Sequence, residues 1–160
     1  TGFEVGMDCS TDEFVNAEQL CRAVAAMWAR VGVKVNLTAQ PGSLYNRKLL
    51  AGESDLYLIG WANTPQLNAF SILNNVVRKG GRWNPGGYSN ARVNELVEAI
   101  ATELDDTTRQ KMLVEALMIQ KREFAYIPTH QEPLVWAVRK GFQVHQAADN
   151  KVRLWWSKMN

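Results

Sequence analysis

The chain has 160 residues, of which 46% are hydrophobic and 21% charged, and its 18 basic and 16 acidic side chains leave a formal charge of +2. That length can bury a sizeable core in one domain without a metal or a disulfide. The scattered, nearly balanced charge argues against a nucleic-acid surface or an anionic membrane partner, and no apolar run approaches the ~20 residues of a membrane span.

The start, "TGFEVGMDCS", has neither an initiator Met nor the basic and apolar regions of a signal peptide, so it reads as a processed or excised product entered at a strand. Phe3–Met7 alternates as a strand does. Asn16, with Gln19 three residues on, predicts a capped helix start, and Leu20, Val24, Trp28 and Val31 fall on one helical face ending at Gly32. Val33–Ala39 repeats with period two as a second strand. Pro41-Gly42-Ser43 turns the chain into a short helix, capped by Ser43 and running through Leu50. The uncharged run Leu56–Gly60 predicts a third strand buried on both faces, as in a parallel sheet covered by helices. Strand, helix, strand, helix, strand is the order of an open α/β fold.

Asn68–Val77 predicts a short helix and "RKGGRWNPGGYSN" a loop. Asn90–Leu104 carries Val93, Leu96, Val97, Ile100 and Leu104 along one stripe. The next helix, from Asp106 to Phe124, carries Leu113, Ala116, Leu117, Gln120 and Phe124. These two are expected to pair antiparallel and to cover a sheet with Phe3–Met7 at its centre. Pro128 and Pro133 keep "YIPTHQEPLVWAV" extended but out of a central strand. The tail "KVRLWWSKMN" shows no periodicity.

Catalytic patterns are missing. "KGGRW" and "NPGGY" lack the spacing and the Lys-Ser/Thr ending of a phosphate loop, and no G-x-S-x-G elbow occurs. Asp105-Asp106 falls at a helix start, where anions favour the helix dipole. Cys9 and Cys21 stand far from His130 and His145 and make no metal motif. They are either two half-buried thiols or, in an oxidising compartment, a disulfide. What remains is the strand end from Trp61 to Gln66. Ligands of open α/β sheets sit outside the carboxyl ends of strands, and Trp61 offers stacking area and one donor, with Asn63 and Thr64 as neutral partners. The alternative is that Trp61 packs under the next helix.

In chain order, "ARVGVKVNL", "LYNRKLLAGESDLYLIGW", "GGYSNARVNELVEAI", "DDTTRQKMLVEALMI" and "FAYIPTHQEPLVWAVRKGF" resemble the C-terminal lobe of the family 5 extracellular solute-binding proteins, the dipeptide, oligopeptide and nickel receptors of ABC importers. The resemblance implies a type II periplasmic-binding-protein lobe, with an open, mainly parallel sheet and helices on both faces. It treats residues 1–160 as one lobe that lacks its N-terminal partner, with residues 126–160 as a return segment and tail that would pack on that partner. It implies no catalysis and no cofactor or metal. The expected partners are a small peptide-like or neutral polar solute and a membrane permease, in the periplasm or outside the cell. It places Trp61, Asn63, Thr64, Asn84, His130 and Gln131 on the ligand cleft, although a structural role for His130 stays open.

Peptide receptors of this family read G-W-x-x-D, the Asp pairing with the ligand's ammonium. Here Thr64 holds that position, and Leu58 stands where some members carry a basic residue. An ammonium buried there would lack a counter-charge at a cost of several kcal/mol, so the resemblance implies a neutral or differently oriented solute. A solute-sensing regulatory domain of a larger protein is the competing reading.

Overall fold

The computed structural model describes residues 2–64 and 67–159. Pro65 and Gln66, in the polar turn expected after Trp61, lie outside the described residues. Contacts divide the chain into two units, Thr1–Trp61 with Asn75–Asn90, and Ala62–Asn74 with Ala91–Asn160.

The first unit is built on a parallel sheet of three strands, β1 (Phe3–Ser10), β2 (Val33–Gln40) and β3 (Leu56–Tyr57), in the order β2-β1-β3. As the sequence predicts, β1 is central. It pairs with β2 along its whole length, Phe3 opposite Val33 through Ser10 opposite Gln40. The period-two pattern of β2 is real: Val33, Val35, Leu37 and Ala39 are half-buried while Lys34, Asn36 and Thr38 face out. Glu4 lies directly opposite Lys34 and receives its ammonium at 2.7 Å, a cross-strand pair on the wet face.

Only two residues of the expected third strand join the ladder, Leu56 opposite Met7 and Tyr57 opposite Asp8. The next carbonyl, that of Leu58, accepts instead from the hydroxyl of Tyr45. On the other flank, Gly6 N–H donates to Asp55 Oδ2 at 3.0 Å. Side chains close this edge at both ends of the short ladder.

Helix α1 (Ala17–Ala29) connects β1 to β2. Its predicted capping box does not form: Asn16 is left-handed, with φ of 57°, and its side chain caps nothing. Asn tolerates this conformation better than most residues, and its carbonyl still accepts from Leu20 N. The core around the sheet joins Met7, Cys9 and Cys21 to the partly buried Val24, Val35, Leu37, Leu56 and Leu58. Val31, expected on the helix stripe, is 77% exposed because the helix stops at Ala29 and the chain turns through Gly32, with φ of +88°. Helix α2 (Gly42–Leu50) buries Tyr45 and Leu49. Its cap is not Ser43. The N–H of Gly42 donates to Asp12 Oδ1 at 2.8 Å, a carboxylate 30 residues upstream.

In the second unit, α4 (Ala91–Thr102) and α5 (Asp106–Arg122) pack side by side. Arg92 bonds Glu115 at 2.7 Å and Arg109 Nε bonds the carbonyl of Ile100 at 3.3 Å. Early residues of one helix meeting late residues of the other make the pair antiparallel, as predicted. Val93, Leu96, Val97 and Ile100 are buried from α4, and Leu113, Ala116 and Gln120 from α5. The two outermost stripe positions fail. Leu104 falls in the link and is 94% exposed. Phe124, with φ of 52°, ends α5 in the left-handed region; Ala125 N–H then reaches back to Gln120 O at 3.1 Å, a Schellman-type stop that throws the Phe124 ring into solvent. The predicted helix over 68–77 is one α-turn, α3 (Phe70–Ile72), continued as a π-turn over Leu73–Val77. Residues 126–139 have neither helix nor ladder, as the prolines require. The tail closes on itself, β4 (Phe142–Gln143) antiparallel to β5 (Lys158–Met159).

Candidate functional site

The carboxyl end of β1 becomes steadily drier, Met7 to Ser10 all being buried. Asp8, 3% exposed, is paired with Lys48 Nζ of α2 at 2.8 Å. Ser10 Oγ accepts from the N–H groups of Asp12 and Glu13 at 3.3 and 3.1 Å. The turn between β1 and α1 therefore folds on its own polar groups while Asp12 caps α2. Cys9 and Cys21, both fully buried, are joined in a disulfide with their Cα atoms 6.7 Å apart. Of the two alternatives the sequence leaves open, the bridge is the one formed.

Across the sheet edge, Gly60 has no room for a side chain: a Cβ there would run into the ring of Phe14. Trp61 follows directly and is half-buried. Tyr45, whose hydroxyl holds the Leu58 carbonyl, has its pKa pushed up, first by burial and then by the negative charge of Glu13; it stays a neutral donor. Asn84 closes the glycine loop. Its Nδ2 donates to the carbonyls of Arg78 at 3.0 Å and Tyr88 at 2.8 Å, and its Oδ1 accepts from Tyr88 N at 3.1 Å.

Trp61 and Asn84 thus belong to the first unit, and Asn63, Thr64, His130 and Gln131 to the second. Asn63 and Thr64 are half-buried in a turn fixed by Leu67 N–H on Asn63 O at 2.6 Å. The side-chain Oδ1 of Asn63 is enclosed and receives no hydrogen bond from any described residue. His130 and Gln131 are exposed, with Thr129 Oγ1 3.2 Å from His130 Nδ1. Among the described residues, no group of three His, Cys, Asp or Glu side chains is placed to hold a metal ion, and no helix is long and apolar enough to cross a membrane. Sequence reasoning missed Asp12 and Phe14; "STD" after a strand signals a polar turn, but nothing in it tells that the turn reaches α2 and Gly60.

No family model matches the chain. It is 26% identical over 141 residues to a dipeptide-binding protein of Pseudomonas aeruginosa, an alignment covering 84% of the chain and 26% of that protein. The chain resembles the family 5 solute-binding proteins of ABC importers. Its fold is shared with HbpA2 of Haemophilus parasuis, at a TM-score of 0.74, 18% identity, and coverage of 99% of this chain and 32% of that one. DppA of Helicobacter pylori, solved with the peptide STSA, superimposes at a TM-score of 0.71 and 17% identity, over 79% and 25% of the two chains. NikA of Staphylococcus aureus, solved with Ni(L-His)2, does so at 0.69 and 12%, over 78% and 26%. The chain spans about a quarter to a third of the length of these relatives. The α/β fold is that of a periplasmic-binding-protein lobe.

Proposed function

We propose that this chain captures a small peptide-like or neutral polar solute without chemical change, in the periplasm or outside the cell, for delivery to the permease of an ABC importer. In this reading it supplies one wall of a cleft, and residues 126–160 pack on the rest of the receptor. The observation that carries it is the alignment with a dipeptide-binding protein over 84% of the chain, with Trp61 following the carboxyl end of β3, where open sheets hold ligands.

Trp61 supplies an apolar face, and Asn63, half-buried in the turn that follows, adds a neutral amide. Thr64 adds a hydroxyl in place of the carboxylate of peptide receptors. Exposed His130 and Gln131 add polar contacts, and Asn84 keeps the glycine loop in shape. No carboxylate at position 64 means no counter-charge for a peptide ammonium, so an N-acetylated dipeptide should bind at least as well as a free one. The buried bridge Cys9–Cys21 fits an oxidising compartment.

Protein-detected NMR with millimolar acetylated and free dipeptides tests this. The expected result is saturable movement of the Trp61 indole and Asn63 signals, weakened about tenfold or more by Trp61→Ala, the loss of one buried aromatic contact. Signals that do not move with any dipeptide, or a titration unaffected by Trp61→Ala, would remove the proposal.

A further inference from the structure

We propose that the Cys9–Cys21 disulfide, acting through Phe14, is a positioning device for the strand end that presents Trp61. The inference rests on the reading of Trp61 as a ligand wall, and it assigns the bridge a task beyond stability.

The bridge joins the penultimate residue of β1 to the second turn of α1, across a sequence separation of 12. Phe14 lies near the middle of that span. Its backbone is held from both sides. Upstream, Ser10 Oγ gathers the N–H groups of Asp12 and Glu13, Asp12 is tied to Gly42, and the Glu13 carboxylate takes the amide of Asn46. Downstream, the carbonyl of Phe14 accepts from Ala17 N at 3.3 Å, at the first residue of α1. Helix α1 is in turn anchored to β1 through Cys21, with both sulfurs out of reach of solvent. The loop cannot move away from the sheet without opening this closed circuit.

The ring of Phe14 fills the place where a side chain at position 60 would stand. Gly60 has left the ladder, since β3 ends at Tyr57. Sheet hydrogen bonds therefore do not hold the backbone just before Trp61. Tyr45 fixes it at Leu58, and Phe14 packs on it at Gly60. Loss of the bridge loosens the loop, the ring leaves Gly60, and the backbone leading into Trp61 loses that support.

NMR of the whole chain tests this without a ligand. The Gly60 α-proton signals should be displaced by the Phe14 ring current, and Phe14→Leu should abolish that displacement. The double variant Cys9→Ala/Cys21→Ala should also abolish it and move or broaden the Trp61 indole signal, while the amides of α4 and α5 stay in place. Gly60 and Trp61 signals that persist unchanged in the double variant overturn the proposal and leave the bridge a structural staple. Should the double variant not fold, Gly60→Ala keeps the bridge and displaces the ring, and an unmoved Trp61 indole then overturns it. Failure of the ligand reading looks different: no dipeptide moves Trp61, yet Gly60 still depends on the bridge.

Discussion

Asp8 shows how a single residue combines burial with charge. A carboxylate with a side chain 4% exposed is tolerable only beside a cation, and Lys48 reaches it from α2 at 2.8 Å. Removing the partner leaves the charge in a dry place. Lys48→Met should cost about 3 kcal/mol, the low end for broken buried pairs because Lys48 is itself 35% exposed; urea unfolding reads this directly. Asp8→Asn in the same chain should return part of the loss. Asp149 forms a second, half-buried ion pair with Arg153, their side chains 21% and 24% exposed. Hydrogen bonds from the Arg153 guanidinium, and then from Lys151 N–H, hold its pKa at about 2. That lies below the ordinary carboxylate value of ~3.9, so the pair contributes above that value and is lost as pH falls toward 2. The carboxyl carbon signal of Asp149 should therefore titrate near pH 2, with no change between pH 6 and 8. Asn16 and Ser43 mark the limit of reading residues from sequence. Both are good cap types, yet one backbone is left-handed and the other helix is capped by Asp12 from a distant turn. Capping preference is local, and the choice between competing caps is made by tertiary contacts.

At the scale of elements, the strong periodicities survive and their ends do not. Val93, Leu96, Val97 and Ile100 are buried as spaced, because four positions on one stripe leave little freedom in how a helix can pack. Leu104 and Phe124 had the right spacing but lay beyond the points where the backbone turned. Spacing says nothing of φ, and Phe124 carries no glycine-like signal for its left-handed conformation. A strand starting at Leu56 was legible, but it stops at Tyr57 and not at Gly60, and the packing of Phe14 on Gly60 joins residues 46 positions apart and leaves no trace in periodicity. Two substitutions probe the helix pair. Asp105 accepts from Thr108 N at 2.7 Å as the cap of α5, so Asp105→Ala should cost about 1 kcal/mol. Ile100, with no exposed surface, should cost about 3 kcal/mol as Ile100→Ala. Thermal or urea unfolding followed by circular dichroism separates the two magnitudes.

At the scale of the whole molecule, the proposed function gives this chain one wall, and one wall is less than a pocket. Ligand sites commonly bury 70% or more of a small molecule. On the proposed function, the 160-residue chain should bind dipeptides far more weakly than a full-length two-lobed receptor containing it, and paired calorimetry of the two checks this. Trp155 and Trp156, 77% and 51% exposed, should favour self-association at high concentration, visible by sedimentation and reduced by Trp155→Ser/Trp156→Ser. The pairing of β1 with β2 has a consequence in time. All eight rungs of that ladder lie between residues 3 and 40, as do both cysteines. At a rate of about 5–20 residues per second, residues 3–40 emerge roughly 1–3 seconds ahead of Leu56, so the chain can close its parallel pair before the third strand is available. Through that interval the other edge of β1 at Met7 and Asp8 has no strand partner, and Asp55, which blocks Gly6, arrives one residue before the strand that takes the edge. The order of emergence thus protects the central strand from pairing with a stranger almost as soon as its own partner is available.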